Sequence, residues 1–194
     1  MKILSAEFVT SASGTADNGP RDGLPQLALA GRSNVGKSSL INALTRRTIA
    51  RTSAAPGKTR LVNFYRVELE AIGREAFYLV DLPGYGYARG GSDAAAELRT
   101  VAEAYLVESR AQGRGSRRHA LLLVDPRHPG LDADIQAARW LESLYVDAHI
   151  VATKIDKLTR AERARTLGVH LILATQRPSG AVNDNIRTNT NLRV

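Results

Sequence analysis

The stretch QLALAGRSNVGKSSLINAL, residues 26–44, decides the fold. Gln26 to Ala30 is a short apolar run ending at a glycine, which predicts a buried strand. Ser38 to Leu44 predicts a helix. Between them Gly31, Arg32, Ser33, Asn34, Val35, Gly36, Lys37 and Ser38 spell Gly-x4-Gly-Lys-Ser, in the strand–loop–helix context that a phosphate-binding loop requires. The glycines let the backbone curl so that successive N–H groups point inward at phosphate oxygens. Lys37 adds a point charge toward the β- and γ-phosphates, and the Ser38 hydroxyl, followed by Ser39 in the helix, suits Mg²⁺. The helix N-terminus adds its partial positive charge.

Working outward, Arg46 to Lys58 is polar, carries Pro and Gly, and shows no period, so it predicts a loop. Residues 10–25 are rich in Gly, Ser, Asp, Asn and Pro and predict another. Arg60 to Leu69, Ala76 to Val80, Ala120 to Val124, His149 to Ala152 and Val169 to Leu173 predict strands. Leu98, Val101, Ala102, Tyr105 and Leu106 recur at helical spacing, as do Leu131, Ile135, Ala138, Leu141 and Leu144. Thr159 and Glu162 form a capping-box pattern, with Gly168 placed to end a short helix. Strands alternating with helices predict an α/β chain. The architecture expected is a three-layer P-loop nucleoside triphosphatase with a mostly parallel sheet and one antiparallel edge strand.

Two more segments fall at predicted strand ends. Asp81, Leu82, Pro83 and Gly84 follow an apolar run. A carboxylate at that tip can hold a water on Mg²⁺, and the Gly84 N–H can sense a γ-phosphate. Alone, an Asp before Pro-Gly is only a turn. Thr153, Lys154, Ile155 and Asp156 end another strand. The Asp156 carboxylate can accept two hydrogen bonds from the N1–H and N2–H₂ edge of guanine, which adenine does not offer. The Lys154 stem can cover the ring. Gly57, Lys58, Thr59 and Arg60 lie in the loop between the phosphate segments. A Thr59 hydroxyl on Mg²⁺ would make that loop a switch. The expected metal set is thus Ser38, Thr59 and Asp81, and the expected catalytic set Lys37, Thr59 and Gly84.

At 194 residues the length suits one domain. There is no cysteine, which excludes disulfides and thiolate metal sites, and the four histidines lack ligand spacing. No apolar run approaches bilayer length and no leader pattern is visible, so a cytoplasmic protein without membrane attachment is expected. The net charge is +8. Its basic residues cluster at Arg46, Arg47 and Arg51, at Lys58 and Arg60, and at Arg110, Arg114, Arg117 and Arg118. Such a field attracts polyanions, and RNA is the favoured partner, with solubility from scattered arginine as the alternative.

Residues from about 5 to 163 resemble the bacterial EngB family of GTPases. The resemblance rests on Ala6 to Ser11, on GRSNVGKSSLIN (31–42), on Pro56 to Arg60, on DLPGYGYA (81–88), on Asp125 to Pro129 and on Thr153 to Asp156. It implies GTP and GDP as ligands, Mg²⁺, and ribosomal RNA or a precursor of the large ribosomal subunit as partner. It also implies a link to cell division and septation, with no obligate DNA, in a chain expected to be a monomer. Many GTPases carry a Gln after Asp-x-x-Gly to orient the attacking water; here that position is Tyr85, so slow intrinsic hydrolysis is expected. Asn34 matches a phosphate-loop Asn that related GTPases use to hold K⁺.

Beyond Arg163 the family pattern fades. Leu167 to Val194, through GVHLILATQRP (168–178), resembles part of an FtsK/SpoIIIE-type DNA-translocating ATPase. That divides the chain into a G domain, 1–165, and an atypical segment, 166–194. The alternatives are a fusion or frameshift near Arg163 and a divergent native C-terminus. In either, Val169 to Leu173 can dock as the last parallel strand, bringing Ala174 and Thr175 to where the family's Ser-Ala backbone meets the guanine oxygen. A DNA-motor fragment, or a chimera with impaired guanine binding, stands as the alternative function.

Overall fold

The computed structural model describes residues 2–13, 19–51, 61–71, 73–85, 99–107, 119–160, 162–163 and 172–173. One sheet of seven strands runs through them. The strands are β1 (Lys2–Ala12), β2 (Gln26–Gly31), β3 (Val62–Glu70), β4 (Arg74–Asp81), β5 (His119–Val124), β6 (Asp147–Ala152) and β7 (Ile172–Leu173). Their order is β1-β3-β4-β2-β5-β6-β7. The β4-β2-β5-β6-β7 part is parallel throughout, and β3 alone runs against its neighbours.

The helices are α1 (Lys37–Thr45), α2, described over residues 99–107, and α3 (Asp132–Ser143). On one face of the sheet Ala28, Ala30, Phe64, Val80 and Leu122 pack against Ala102, Tyr105 and Leu106 of α2 and Leu141 of α3. On the other, Leu29, Tyr65, Leu79, Leu123 and Val151 pack against Ile41 of α1 and against Val35 in the loop before it. Successive residues of β2 therefore face opposite cores, which is why its sequence is a continuous apolar run rather than an alternation. The three layers expected from the sequence are present.

Three details bear on the sequence expectations. The first is β1: the strand extends to Ala12, into what composition marked as loop. Register shifts between Ile3 and Ser5 and between Phe8 and Thr10 break its two-residue period, which hides it from a pattern reading. Because β1 flanks β3, the antiparallel strand lies one place in from the edge. Phe8 is 50% exposed but sits edge-on to Tyr65, with centroids 5.7 Å apart.

The second is α3, which buries Ala137 and Leu141, while Ile135 is 41% exposed. The helix is turned so that Asp134 points inward, a consequence of its ion pair with Arg32. The third concerns the chain's end. Ile172 and Leu173 do pair in parallel with Val151 and Ala152, as the last strand should. Gly168, Ala174, Thr175 and the rest of the tail lie outside the described residues. The Thr159–Glu162 capping box forms as expected, with Thr159 N–H donating to Glu162 at 2.8 Å and Glu162 N–H to Thr159 at 3.3 Å.

Candidate nucleotide site

The loops that follow β2, β4, β5 and β6 all leave the C-terminal end of the parallel strands, the edge where open α/β sheets bind ligands. The phosphate loop starts at Gly31, whose φ is +154° and which touches neighbouring chain. A Cβ there would lie 2.9 Å from the Leu123 carbonyl oxygen and 2.8 Å from Val35 Cγ1. Only glycine fits between β2 and β5. At the other end Gly36 adopts a φ of +117° as it hands over to α1. Thr153 closes the loop from below: its hydroxyl donates to the Val35 carbonyl at 2.8 Å.

Lys37 lies almost buried at 7% exposure, its Nζ donating to the carbonyls of Gly31 at 3.1 Å and Arg32 at 3.4 Å. Asp81 is more deeply buried, at 1%. Ser38 Oγ donates to Asp81 Oδ2 at 3.1 Å, whereas Asp81 Oδ1 has no hydrogen-bond partner among the described residues. Burial pushes the Asp81 carboxyl up from its ordinary value, against the opposing pull of Lys37 and Ser38. The same burial lowers Lys37, partly countered by the Asp81 charge.

A buried carboxylate oxygen without a donor is costly. A hydroxyl and a carboxylate, both oxygen donors, are what Mg²⁺ accepts, directly or through its retained waters. Ser38 and Asp81 therefore fit that ion. Thr59, expected to complete the set, lies outside the described residues together with Gly57, Lys58 and Arg60.

Leu82, Pro83 and Gly84 follow Asp81. Leu82 packs into the core under α2, and Val35 and Ile155 are likewise buried, so only their backbones can face a ligand. Gly84 rests on the phosphate loop, where Ser33 Oγ donates to its carbonyl at 3.3 Å. The next residue, Tyr85, accepts from Ser33 N–H at 3.0 Å. Its own hydroxyl donates to Asp134 Oδ1 at 2.9 Å. Burial, then the nearby Asp134 charge and that bond, raise the phenol above its ordinary value. Tyr85 therefore keeps its proton at neutral pH.

The segment after β6 is tied to the phosphate loop by Lys154, whose backbone is left-handed with φ at 55°. Its Nζ donates to the Asn34 carbonyl at 2.7 Å and to Asp125 Oδ2 at 3.1 Å. Asp125, 4% exposed at the end of β5, also takes Arg127 in a two-pronged grip of 2.9 and 2.6 Å. Burial alone would raise its pKa. The bonds from Arg127 and Lys154 outweigh that and hold the carboxyl well below the usual range. Asp156 sits in the 3-10 turn Ile155–Lys157, which is anchored by the buried Ile155 and Leu158.

The described members of the expected set, Gly31 to Ser39, Asp81 to Gly84 and Thr153 to Asp156, thus meet at one edge. Three residues with no role assigned from sequence join them. Asp125 positions Lys154; its signal, an Asp at the end of an apolar strand followed by Pro, is the one that flagged Asp81. Asn42 accepts from Ile49 and Ala50 N–H at 3.0 and 2.8 Å and donates to the Ala50 carbonyl at 2.8 Å, fixing the chain as it leaves α1. Asp134 holds Arg32 and Tyr85, and nothing local in the sequence marks it.

Residues 26–154 match a family model described as "50S ribosome-binding GTPase". A probable GTP-binding protein EngB of Pelotomaculum thermopropionicum is 46% identical over 170 residues, covering 87% of this chain and 80% of that protein. Its counterpart in Heliobacterium modesticaldum is 48% identical over 166 residues, 85% of this chain and 75% of that one. Among solved structures, Era of Aquifex aeolicus bound to GDP·AlF4⁻ matches in fold, with a TM-score of 0.64 at 16% identity. That match covers 86% of this chain and 56% of Era.

These comparisons give no support to a DNA-translocating ATPase in the tail. An alignment over 87% of 194 residues spans about 169, so it does not fit within the 163 residues before the suspected junction. The likeness to GTP-binding relatives runs past that point.

Proposed function

The chain belongs to the EngB family of GTP-binding proteins, P-loop GTPases, and on that premise we propose a slow GTP-hydrolysing switch that acts on a precursor of the large ribosomal subunit. The observation that carries this reading is the bridge made by Lys154, which joins the phosphate loop at Asn34 to the strand end at Asp125. It makes the phosphate-binding and base-reading segments one rigid unit. In that unit the N–H groups of residues 31–39 cradle the phosphates and Lys37 supplies positive charge where negative charge builds up. Ser38 and Asp81, with Thr59, hold Mg²⁺, which when bound neutralises the phosphate oxygens. Gly84 reads the γ-phosphate through its N–H, and Gly57, Lys58 and Arg60 are assigned to the nucleotide site with Thr59.

Asp156 selects guanine, with the backbone of Ala174 and Thr175 meeting the guanine oxygen. A wrong base leaves the carboxylate facing a group that does not donate, which is where discrimination comes from. Hydrolysis is slow because the residue after Gly84 is a tyrosine whose hydroxyl is committed to Asp134, leaving no side chain there to orient a water. Asn34, an exposed phosphate-loop residue, is the ligand we assign to K⁺.

The partner is ribosomal RNA. The net charge of +8 and the exposed Arg46, Arg47 and Arg51 beside the end of α1 favour a polyanion, and the matching family model carries ribosome binding in its description. No helix among the described residues is long and apolar enough to cross a membrane; a cytoplasmic monomer belongs to the same proposal.

Equilibrium binding of fluorescent GDP against ADP tests the reading. The wild type is expected to prefer GDP strongly, and Asp156→Asn to lose about 100-fold of that preference, equivalent to two hydrogen bonds to a charged acceptor at ~1.5 kcal/mol each. An unchanged purine preference in Asp156→Asn would overturn it.

A further inference from the structure

We infer that Asp134 is a positioning residue that sets the balance between GDP and GTP by latching the Gly84–Tyr85 segment onto the phosphate loop. The inference rests on the reading of Gly84 as the γ-phosphate sensor. One carboxylate oxygen, Asp134 Oδ1, takes both the Tyr85 hydroxyl at 2.9 Å and Arg32 Nε at 3.1 Å. Asp134 lies in the first turn of α3 with its side chain only 11% exposed, and Arg32 is 24% exposed. The pair is therefore shielded enough to count for more than a surface ion pair. It binds three separate elements: the phosphate loop, the segment after β4, and α3.

The backbone completes the latch. Ser33 N–H donates to the Tyr85 carbonyl at 3.0 Å, and Arg32 and Tyr85 form a parallel bridge that extends the β2–β4 pairing past the strand ends. Gly84 is in van der Waals contact with Ser33: a Cβ on it would lie 2.8 Å from Ser33 N and 2.9 Å from Cα and Oγ. Between two backbones this close there is no space for a phosphoryl group. A third phosphate seated at this contact would have to part Gly84 from Ser33. A diphosphate makes no such demand. Every bond that holds Gly84–Tyr85 down is thus a cost charged to GTP and not to GDP, and a ligand shifts such an equilibrium only by its differential affinity. Asp134 acts through Arg32 and Tyr85, the two residues that donate to it.

The full chain with Asp134→Ala, which removes both bonds at Oδ1, and with Tyr85→Phe, which removes one and keeps the ring, provides the test. Dissociation constants for GDP and a non-hydrolysable GTP analogue would be measured by fluorescence in the presence of Mg²⁺. The ratio of the GTP-analogue constant to the GDP constant is expected to fall about tenfold in Asp134→Ala, ~1.4 kcal/mol. A smaller fall in the same direction is expected in Tyr85→Phe. Damage to the fold would weaken both nucleotides together and leave the ratio where it was. A ratio within twofold of wild type in Tyr85→Phe and in a folded Asp134→Ala overturns the latch; if Asp134→Ala does not fold, Tyr85→Phe alone decides. Preference for GDP over ADP, measured alongside, separates the two readings. If it persists while the ratio stays fixed, only the latch fails, and if it is absent from the wild type, the guanine-switch reading fails with it.

Discussion

Replacing Asp81 by Asn should stabilise the protein in the absence of metal and cripple it in the presence of metal. The carboxylate is 1% exposed, one of its oxygens has no partner among the described residues, and burial raises its pKa despite Lys37 and Ser38. The folded state thus favours the neutral form, so this group's contribution to stability is largest below its ordinary value of 3.8 and is lost as pH rises through the higher folded value. Asn is neutral at every pH and keeps an oxygen for the Ser38 hydroxyl. Lys37, losing a counter-charge, still donates to the Gly31 and Arg32 carbonyls.

The Asn amide nitrogen takes the place of the unpartnered oxygen, so the gain comes from removing the buried charge: an unsatisfied buried polar group costs ~1–3 kcal/mol, and more when it is charged. Part of that is offset by the lost attraction to Lys37, leaving a net gain of ~1 kcal/mol. For a chain of this size each kcal/mol moves the melting temperature by about 2–4 °C. Differential scanning fluorimetry in EDTA at pH 7.5 should therefore show Asp81→Asn melting a few degrees above wild type. With Mg²⁺ and GDP at 100 times their dissociation constant the wild type gains ~2.7 kcal/mol, or about 5–10 °C, and most of that gain should be missing in the variant. A variant that melts below wild type in EDTA, or that keeps the full Mg²⁺-dependent rise, would refute the reasoning.

Three further outcomes are expected. Asp125→Asn should cost ~2 kcal/mol at pH 7 in urea melts, discounted because Arg127 and Lys154 keep some contact with water. Since the folded Asp125 carboxyl lies below its ordinary 3.8, the wild type's lead over the variant should be complete above that pH and shrink as pH falls below it; a constant lead would contradict the assignment. Asn42→Ala strips three backbone bonds from residues 49 and 50 and should cost about 2 kcal/mol; a urea midpoint unchanged from wild type would show that water replaces them fully. GTP turnover should be several-fold faster in KCl than in NaCl at equal ionic strength, and equal rates would remove Asn34 as a K⁺ ligand.

The local devices were legible because each is a requirement on neighbouring residues. A phosphate loop needs small residues where the backbone curls, and Gly31, Gly36, Lys37 and Ser38 announce it. A strand buried on both faces needs an unbroken apolar run, as in Ala28 to Ala30, and a capping box needs Thr159 three residues ahead of Glu162. Tertiary structure decided everything that depended on partners far along the chain. β1 owes its existence to pairing with β3, and its bulges erase the period that would have revealed it. Asp134 faces inward because Arg32, 102 positions away, and Tyr85 both donate to it, overriding the apolar stripe that would have buried Ile135. Lys154, expected from sequence to cover a base, is a strut from the phosphate loop to Asp125. A hydrogen bond across the sheet leaves no periodic trace in either segment, so only folding could show which carboxylates hold other residues of the site in place.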